Sequence, residues 1–225
     1  MSSDVDVCNL ALAHLGDEAG VVAIDPPDGT QQAAYCGTYY PLARNALLEM
    51  HPWTFATKRV ALAELATNPA EDDWSYAYTI PSTCIRPLSA LYPGVAARPL
   101  STTATDDGSF PYLVEAGEDG ELVLFTNVET AVLRYIDLIT AATKFTPGFV
   151  MCLSRLLASY LAGPILKGTT GMKVATEQWK LFTVEYGKAT ALNANIGRRD
   201  GYETRRPEWL RSRSVPTIPD AYIIR

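Results

Sequence analysis

The chain has little of what most catalytic and metal sites are built from. Its 225 residues include two histidines, His14 and His51, and four cysteines, Cys8, Cys36, Cys84 and Cys152. The cysteines are widely scattered and no Cys-x-x-Cys pair occurs, which excludes the common zinc and dithiol motifs. Their apolar neighbours suit reduced core thiols better than disulfides. There is no Gly-x-Ser-x-Gly elbow and no Gly-x-Gly-x-x-Gly fingerprint. Gly163 and Gly168 have the outer spacing of a phosphate-binding loop, but Thr169 stands where that loop requires lysine. His14 reads as a helix-terminal residue, and His51, directly before Pro52 and Trp53, as a packing corner. Long apolar runs are missing as well. The stretches on either side of Arg155 are bounded by Lys144 and Lys167 and fall short of the ~20 residues a bilayer requires. The opening residues carry Asp4 and Asp6 where a signal peptide would be basic. The expectation is a soluble protein made in the cytoplasm, with no membrane span, no metal and no cofactor.

What is present suits one large domain or two small ones with a real core: 48% of the residues are hydrophobic and 20% charged. The net charge of −6 argues against a surface that binds nucleic acid all over. That average hides an asymmetry. Residues 1–197 carry 12 Lys and Arg against 21 Asp and Glu, or −9; residues 198–225 carry 7 Arg against 4 acids, or +3.

Ser3 can cap a first helix, with Cys8, Ala11, Leu12 and Leu15 at helical spacing and Gly16 as its stop. From Thr30 the period returns, with Ala33, Ala34, Tyr40, Ala43, Leu47 and Leu48 on one face. Pro41 should kink this helix or start a new segment. After Trp53 the closely spaced Pro69, Pro81, Pro87 and Pro93 exclude long helices and suggest strands near residues 59–65, 76–80 and 84–92. Residues 112–115 and 121–125 alternate around a Gly/Asp turn, the pattern of a β-hairpin, and 132–139 should add a third strand to it. Thr146-Pro147 opens a third helix, expected to end at Gly163-Pro164. A fourth is expected from Met172 to about Ile196, burying Val174, Trp179, Phe182, Tyr186, Ala189 and Leu192, with Gly197 as its stop.

These runs predict an α+β fold. A helical bundle built from the N- and C-terminal helices (1–56 plus 144–197) carries an inserted antiparallel β subdomain (57–143), and an extended cationic C-terminal arm follows (198–225). Trp53 and Phe55 fall at the boundary and are expected to weld the two parts together. Glu71-Asp72-Asp73 and Glu115, Glu118, Asp119 and Glu121 lie in loop or turn sequence, where a solvated rim is the simpler reading than acid/base chemistry. No catalytic constellation emerges, so no enzyme is expected.

The arm holds Arg198, Arg199, Arg205, Arg206, Arg211 and Arg213 around Trp209 and Leu210. Arginines beside aromatics can bind nucleic acid, and that reading stays open. Interleaved acids dilute it, and the composition also suits an arm that orders in a protein groove.

Three segments, and with them the closing one, carry a family resemblance. Cys8-Asn9-Leu10-Ala11-Leu12-Ala13-His14-Leu15-Gly16 resembles the opening helix of the tailed-phage head-to-tail adaptor family, the tail tubular protein A type. His51-Pro52-Trp53-Thr54-Phe55-Ala56-Thr57-Lys58-Arg59 resembles the family's handover from helix to β segment, and Trp74-Ser75-Tyr76-Ala77-Tyr78-Thr79-Ile80-Pro81 its Trp/Tyr-rich strand. Glu208-Trp209-Leu210-Arg211-Ser212-Arg213 is similar to the family's closing segment, with twelve further residues after it. The resemblance implies a virion protein and not an enzyme. It would form a dodecameric ring between the portal protein and the tail nozzle protein, with a central channel through which genomic DNA passes without specific binding. The portal-binding residues implied are Arg198, Arg199, Arg205, Arg206, Trp209, Leu210, Arg211 and Arg213. Identical acidic bodies repel, so the ring is expected to need the portal as a template, with Arg44, Arg59 and Arg134 as candidates for pairing between copies.

Overall fold

The structure, a computed structural model, describes residues 2–93, 109–117 and 119–196. Two helices come first: α1 (Asp4–His14) and α2 (Gln31–Met50). The strands β1 (Thr57–Ala61), β2 (Ala63–Glu64), β3 (Tyr76–Thr79), β4 (Cys84–Leu91), β5 (Ser109–Phe110), β6 (Leu113–Ala116), β7 (Leu122–Thr126) and β8 (Val132–Asp137) follow. Two helices close the described chain, α3 (Pro147–Leu166) and α4 (Gly168–Ile196). The fold is α+β.

The helix ends follow from their capping residues. Ser3 Oγ accepts from the Asp6 amide at 3.1 Å while the Asp6 carboxylate accepts from the Ser3 amide at 2.7 Å, a reciprocal capping box. Those two bonds hold the Asp6 carboxyl below its usual range. Gly16, at φ +74°, closes α1 with Asp17 donating back to Leu12. Thr30 and Thr146 cap α2 and α3 through bonds to Ala33 and Phe149.

The prolines break less than expected. α2 is continuous through Pro41, with Ala33, Cys36 and Tyr40 before it and Ala43, Leu47 and Leu48 after it all buried, so no new segment starts there. Packing of these residues outweighs one lost backbone bond. Ala34, expected on the same face, is exposed. α3 likewise continues past Gly163-Pro164 to Leu166. α4 then begins at Gly168 and not at Met172; Lys167 and Gly168, both at positive φ, turn the chain in one step. Glycines let these two helices meet closely: a Cβ on Gly171 would stand 2.8 Å from the Ala162 carbonyl oxygen. By length and composition α3 is apolar enough to cross a membrane, contrary to the sequence expectation. Here it is the central helix, in contact with α1, α2 and α4 and burying Phe149, Leu153, Leu156, Leu157 and Leu161.

The strands form two four-stranded antiparallel sheets, ordered β1-β8-β4-β5 and β2-β3-β7-β6. The expected hairpin is β6–β7, paired from Leu113↔Phe125 to Ala116↔Leu122. β8 does not extend it. β8 instead sits between β1 and β4 in the other sheet. The sheets share a core in which Tyr78, Ile80 and Leu124 meet Ala90, Phe110, Leu133 and Tyr135. Behind the second sheet, Leu65, Ala70 and Trp74 cover Ala77, Val123 and Phe125.

The helical core reaches the first sheet through Ile136 of β8, in one cluster with Trp53. Trp53 is 1% exposed, and its ring meets Phe149 at 5.1 Å, His51 at 4.9 Å and Tyr186 at 6.3 Å. Its indole N–H donates to the Leu47 carbonyl at 2.9 Å. Trp53→Ala should therefore lower unfolding free energy by about 3–5 kcal/mol. Trp53→Phe, which keeps most of the apolar volume but not the Leu47 bond, should fall between wild type and alanine. Guanidinium unfolding of both variants checks this order; an unchanged midpoint for alanine would contradict it.

Candidate functional site

Every residue assigned to portal binding from sequence, namely Arg198, Arg199, Arg205, Arg206, Trp209, Leu210, Arg211 and Arg213, lies outside the described residues, as does Gly197. What the structure does describe is the root from which that segment departs. α4 ends at Ile196, and less than one turn earlier Asn193 is fastened to the junction between helices and sheets.

That fastening fixes the state of His51. The Thr54 amide and hydroxyl both donate to Asn193 Oδ1, at 3.1 and 3.0 Å. The Asn193 amide nitrogen is thereby turned to His51 Nε2 at 3.0 Å, and having only protons to offer, it must donate. His51 Nε2 is therefore an unprotonated acceptor, and the ring is neutral. Burial first, and the charge of Arg86 second, lower its pKa. Tyr186 adds a second tie, its hydroxyl donating to the Met50 carbonyl at 3.1 Å.

A second polar node joins α1, α3 and α4. Ser154, fully buried, donates its hydroxyl proton to the Met151 carbonyl at 2.9 Å. His14 Nε2, 3.2 Å from the Ser154 hydroxyl oxygen, must then be the donor, so His14 carries the opposite tautomer to His51. Arg155 donates to Gln178 Oε1 at 2.9 Å and Gln178 donates on to the His14 carbonyl at 3.0 Å. The Arg155 Nε is buried without a partner. Burial, then the Arg155 charge, lowers the His14 pKa. Sequence reading missed Asn193, Gln178 and Thr54. A signal was present: Gln178 and Asn193 fall in helical register with Phe182 and Ala189, polar residues on a buried stripe.

The other candidate groups are dispersed. Cys8, Cys36 and Cys152 are buried and Cys84 half-buried, all as free thiols. Burial pushes Cys84 and Cys152 up to about 11, and Cys8 is raised chiefly by its bond to Cys36, so none of these three is an activated nucleophile. Glu71, Asp72, Asp73, Glu115, Asp119 and Glu121 are exposed, and Glu118 is outside the described residues. Among the described residues no group of three His, Cys, Asp or Glu side chains is placed to hold a metal. Arg44 lies over the Tyr40 ring at 5.9 Å, while Arg59 and Arg134 face each other across two strands. α4 leaves apolar side chains in solvent: Met172 (71%), Leu192 (65%), Val184 (56%) and Trp179 (44%). Leu192 and Trp179 were expected inside; the buried stripe runs instead through Gln178, Phe182, Ala189 and Asn193. The chain matches no protein-family model, and no curated protein matches it.

Both histidines give a pH dependence with a definite sign. Their folded pKa values lie below the unfolded value of about 6.5, so the unfolded chain binds more protons in that window. Stability is then full above about pH 6.5 and falls as pH drops through the folded values. Urea midpoints between pH 7.5 and 5 (about one unit either side of the histidine range) should decline for wild type. His51→Gln, which keeps an acceptor for Asn193, should show a shallower decline. Parallel curves would contradict the His51 assignment.

Proposed function

We propose that the chain is a structural virion protein, a head-to-tail adaptor that forms a ring, of twelve copies in the family it resembles, between portal and tail nozzle. Residues 1–56 and 144–197 act as one discontinuous helical unit, 57–143 as an inserted β subdomain and 198–225 as an arm that engages the portal protein. The observation that carries this reading is where the resembling segments fall. Cys8-to-Gly16 covers the C-terminal part of α1 with its glycine cap, His51-to-Arg59 spans the helix-to-sheet handover around Trp53, and Trp74-to-Pro81 contains β3. Three unconnected resemblances thus coincide with three distinct structural transitions in the same order.

Charge supports the same reading. Residues 1–197 carry −9, and an acidic channel wall repels DNA phosphates, so genome passes without sticking. The seven arginines of 198–225 are set apart from that body, where guanidinium forks can grip portal carboxylates in two places. Trp209 and Leu210 supply the desolvated anchor, since a few aromatic and arginine residues usually dominate an interface.

Removing 198–225 should leave the rest folded, with an unfolding transition like the full chain's, and abolish binding to the portal. Trp209→Ala alone should weaken binding by ~30-fold or more, the effect of losing a hot-spot residue of about 2 kcal/mol. Equilibrium binding of the three proteins to immobilised portal checks both. Unchanged affinity after truncation would remove the arm from the docking role. Steeply salt-dependent binding of the full chain to DNA would favour instead a nucleic-acid-binding module acting through the arm.

A further inference from the structure

Arg59 on β1 and Arg134 on β8 stand directly opposite one another in an antiparallel pair. The same row continues to the buried Ser89 on β4. It faces away from the core between the sheets, because Leu133 and Tyr135, on either side of Arg134, are the residues that enter that core. Like charges placed directly across a ladder destabilise it. Burial, and after it the Arg59 charge, lower the pKa of the half-buried Arg134. Neither guanidinium forms an ion pair among the described residues. The neighbouring carboxylate, Asp137, is taken by Lys58 at 2.6 Å on the opposite face of the strand pair. Two side-by-side guanidinium forks without a counter-charge present a surface shaped for carboxylates.

The chain itself supplies the complementary group. Glu71, Asp72 and Asp73 are exposed in the loop between β2 and β3, and none forms an ion pair among the described residues. This loop belongs to the other sheet, whose outer face is covered by Ala70 and Trp74. The acids and the arginines therefore lie on the outer sides of two stacked sheets, which pack ~10 Å apart, and one copy cannot pair its own. Consecutive copies can. A contact between two different patches of one chain is head-to-tail, and it closes into a ring when its rotation permits.

We propose that the Arg59–Arg134 face is a docking surface for the Glu71-Asp72-Asp73 loop of a second copy of this chain. The inference rests on the adaptor reading for the ring that such a contact builds, but the contact itself can be tested without a portal. Exposed charge pairs are weak and screened by salt, so the contact is transient in solution and accumulates where copies are already held side by side.

The test uses full-length chains carrying Arg134→Cys or Asp72→Cys, mixed at low salt with a short bis-maleimide and mapped by peptide mass spectrometry. The expected product is a 72–134 link between copies, suppressed by about 1 M salt, where screening acts within ~3 Å. A control pair, Lys188→Cys with Asp72→Cys, should link at least tenfold less. Adding Arg59→Glu to the Arg134→Cys chain should reduce the 72–134 link, and Asp73→Lys on the partner should restore part of it. A 72–134 link no stronger than the control overturns the proposal. So does a loss of DNA binding in the Arg59→Glu, Arg134→Glu chain together with a 72–134 link that Arg59→Glu leaves unchanged in the Arg134→Cys chain, because the occupant is then phosphate. A portal ring that forms unaltered from the Arg59→Glu, Arg134→Glu chain overturns the docking surface and leaves the adaptor reading standing. Failure of the wild-type chain to ring any portal, with the 72–134 link intact, sinks the adaptor reading alone.

Discussion

Burying the Trp53 indole is the constraint on which the rest of the structure depends. A buried N–H must find an acceptor, and a helix end leaves its last four carbonyls without intrahelical partners. α2 ends at Met50, so the Leu47 carbonyl is one of those four, and Trp53 takes it. The Met50 carbonyl is taken by Tyr186 from α4. In the other direction the Trp53 carbonyl receives the Ala56 and Thr57 amides and the Thr57 hydroxyl, which aims the chain into β1. One residue therefore ends a helix, fills the aromatic core against Phe149 and starts the first sheet.

This arrangement couples α4 to the β strands across most of the sequence. Thr54 and Asn193 are 139 residues apart in the chain yet share two hydrogen bonds. α4 is therefore tied down within its last described turn.

Much of this was legible in the sequence where local chemistry decides it. Ser3, Gly16, Thr30 and Thr146 mark helix ends in structure as they do in sequence, and the Gly/Asp turn between residues 116 and 121 marks the hairpin. The difficult positions were those decided by packing. Pro41 reads as a kink or a new segment, yet the buried face of α2 continues past it, and Gly163-Pro164 reads as a helix end, yet α3 continues to Leu166. Strand 132–137 read as a neighbour of the hairpin, yet sheet membership depends on which face is buried, and Ile136 belongs to the helical core while Leu133 belongs to the sheets. On α4, helical spacing alone could not choose between two overlapping stripes, and the polar Gln178 and Asn193 took the buried one because hydrogen-bond partners awaited them.

An acidic body and an arginine-rich terminal segment together suit the proposed ring held on a portal. Electron microscopy of the purified chain, alone and mixed with its cognate portal protein, tests this most directly. A ring coaxial with the portal, absent from the chain alone, is the expected image. Portals that remain bare at saturating chain, or a complete ring formed without portal, would contradict it.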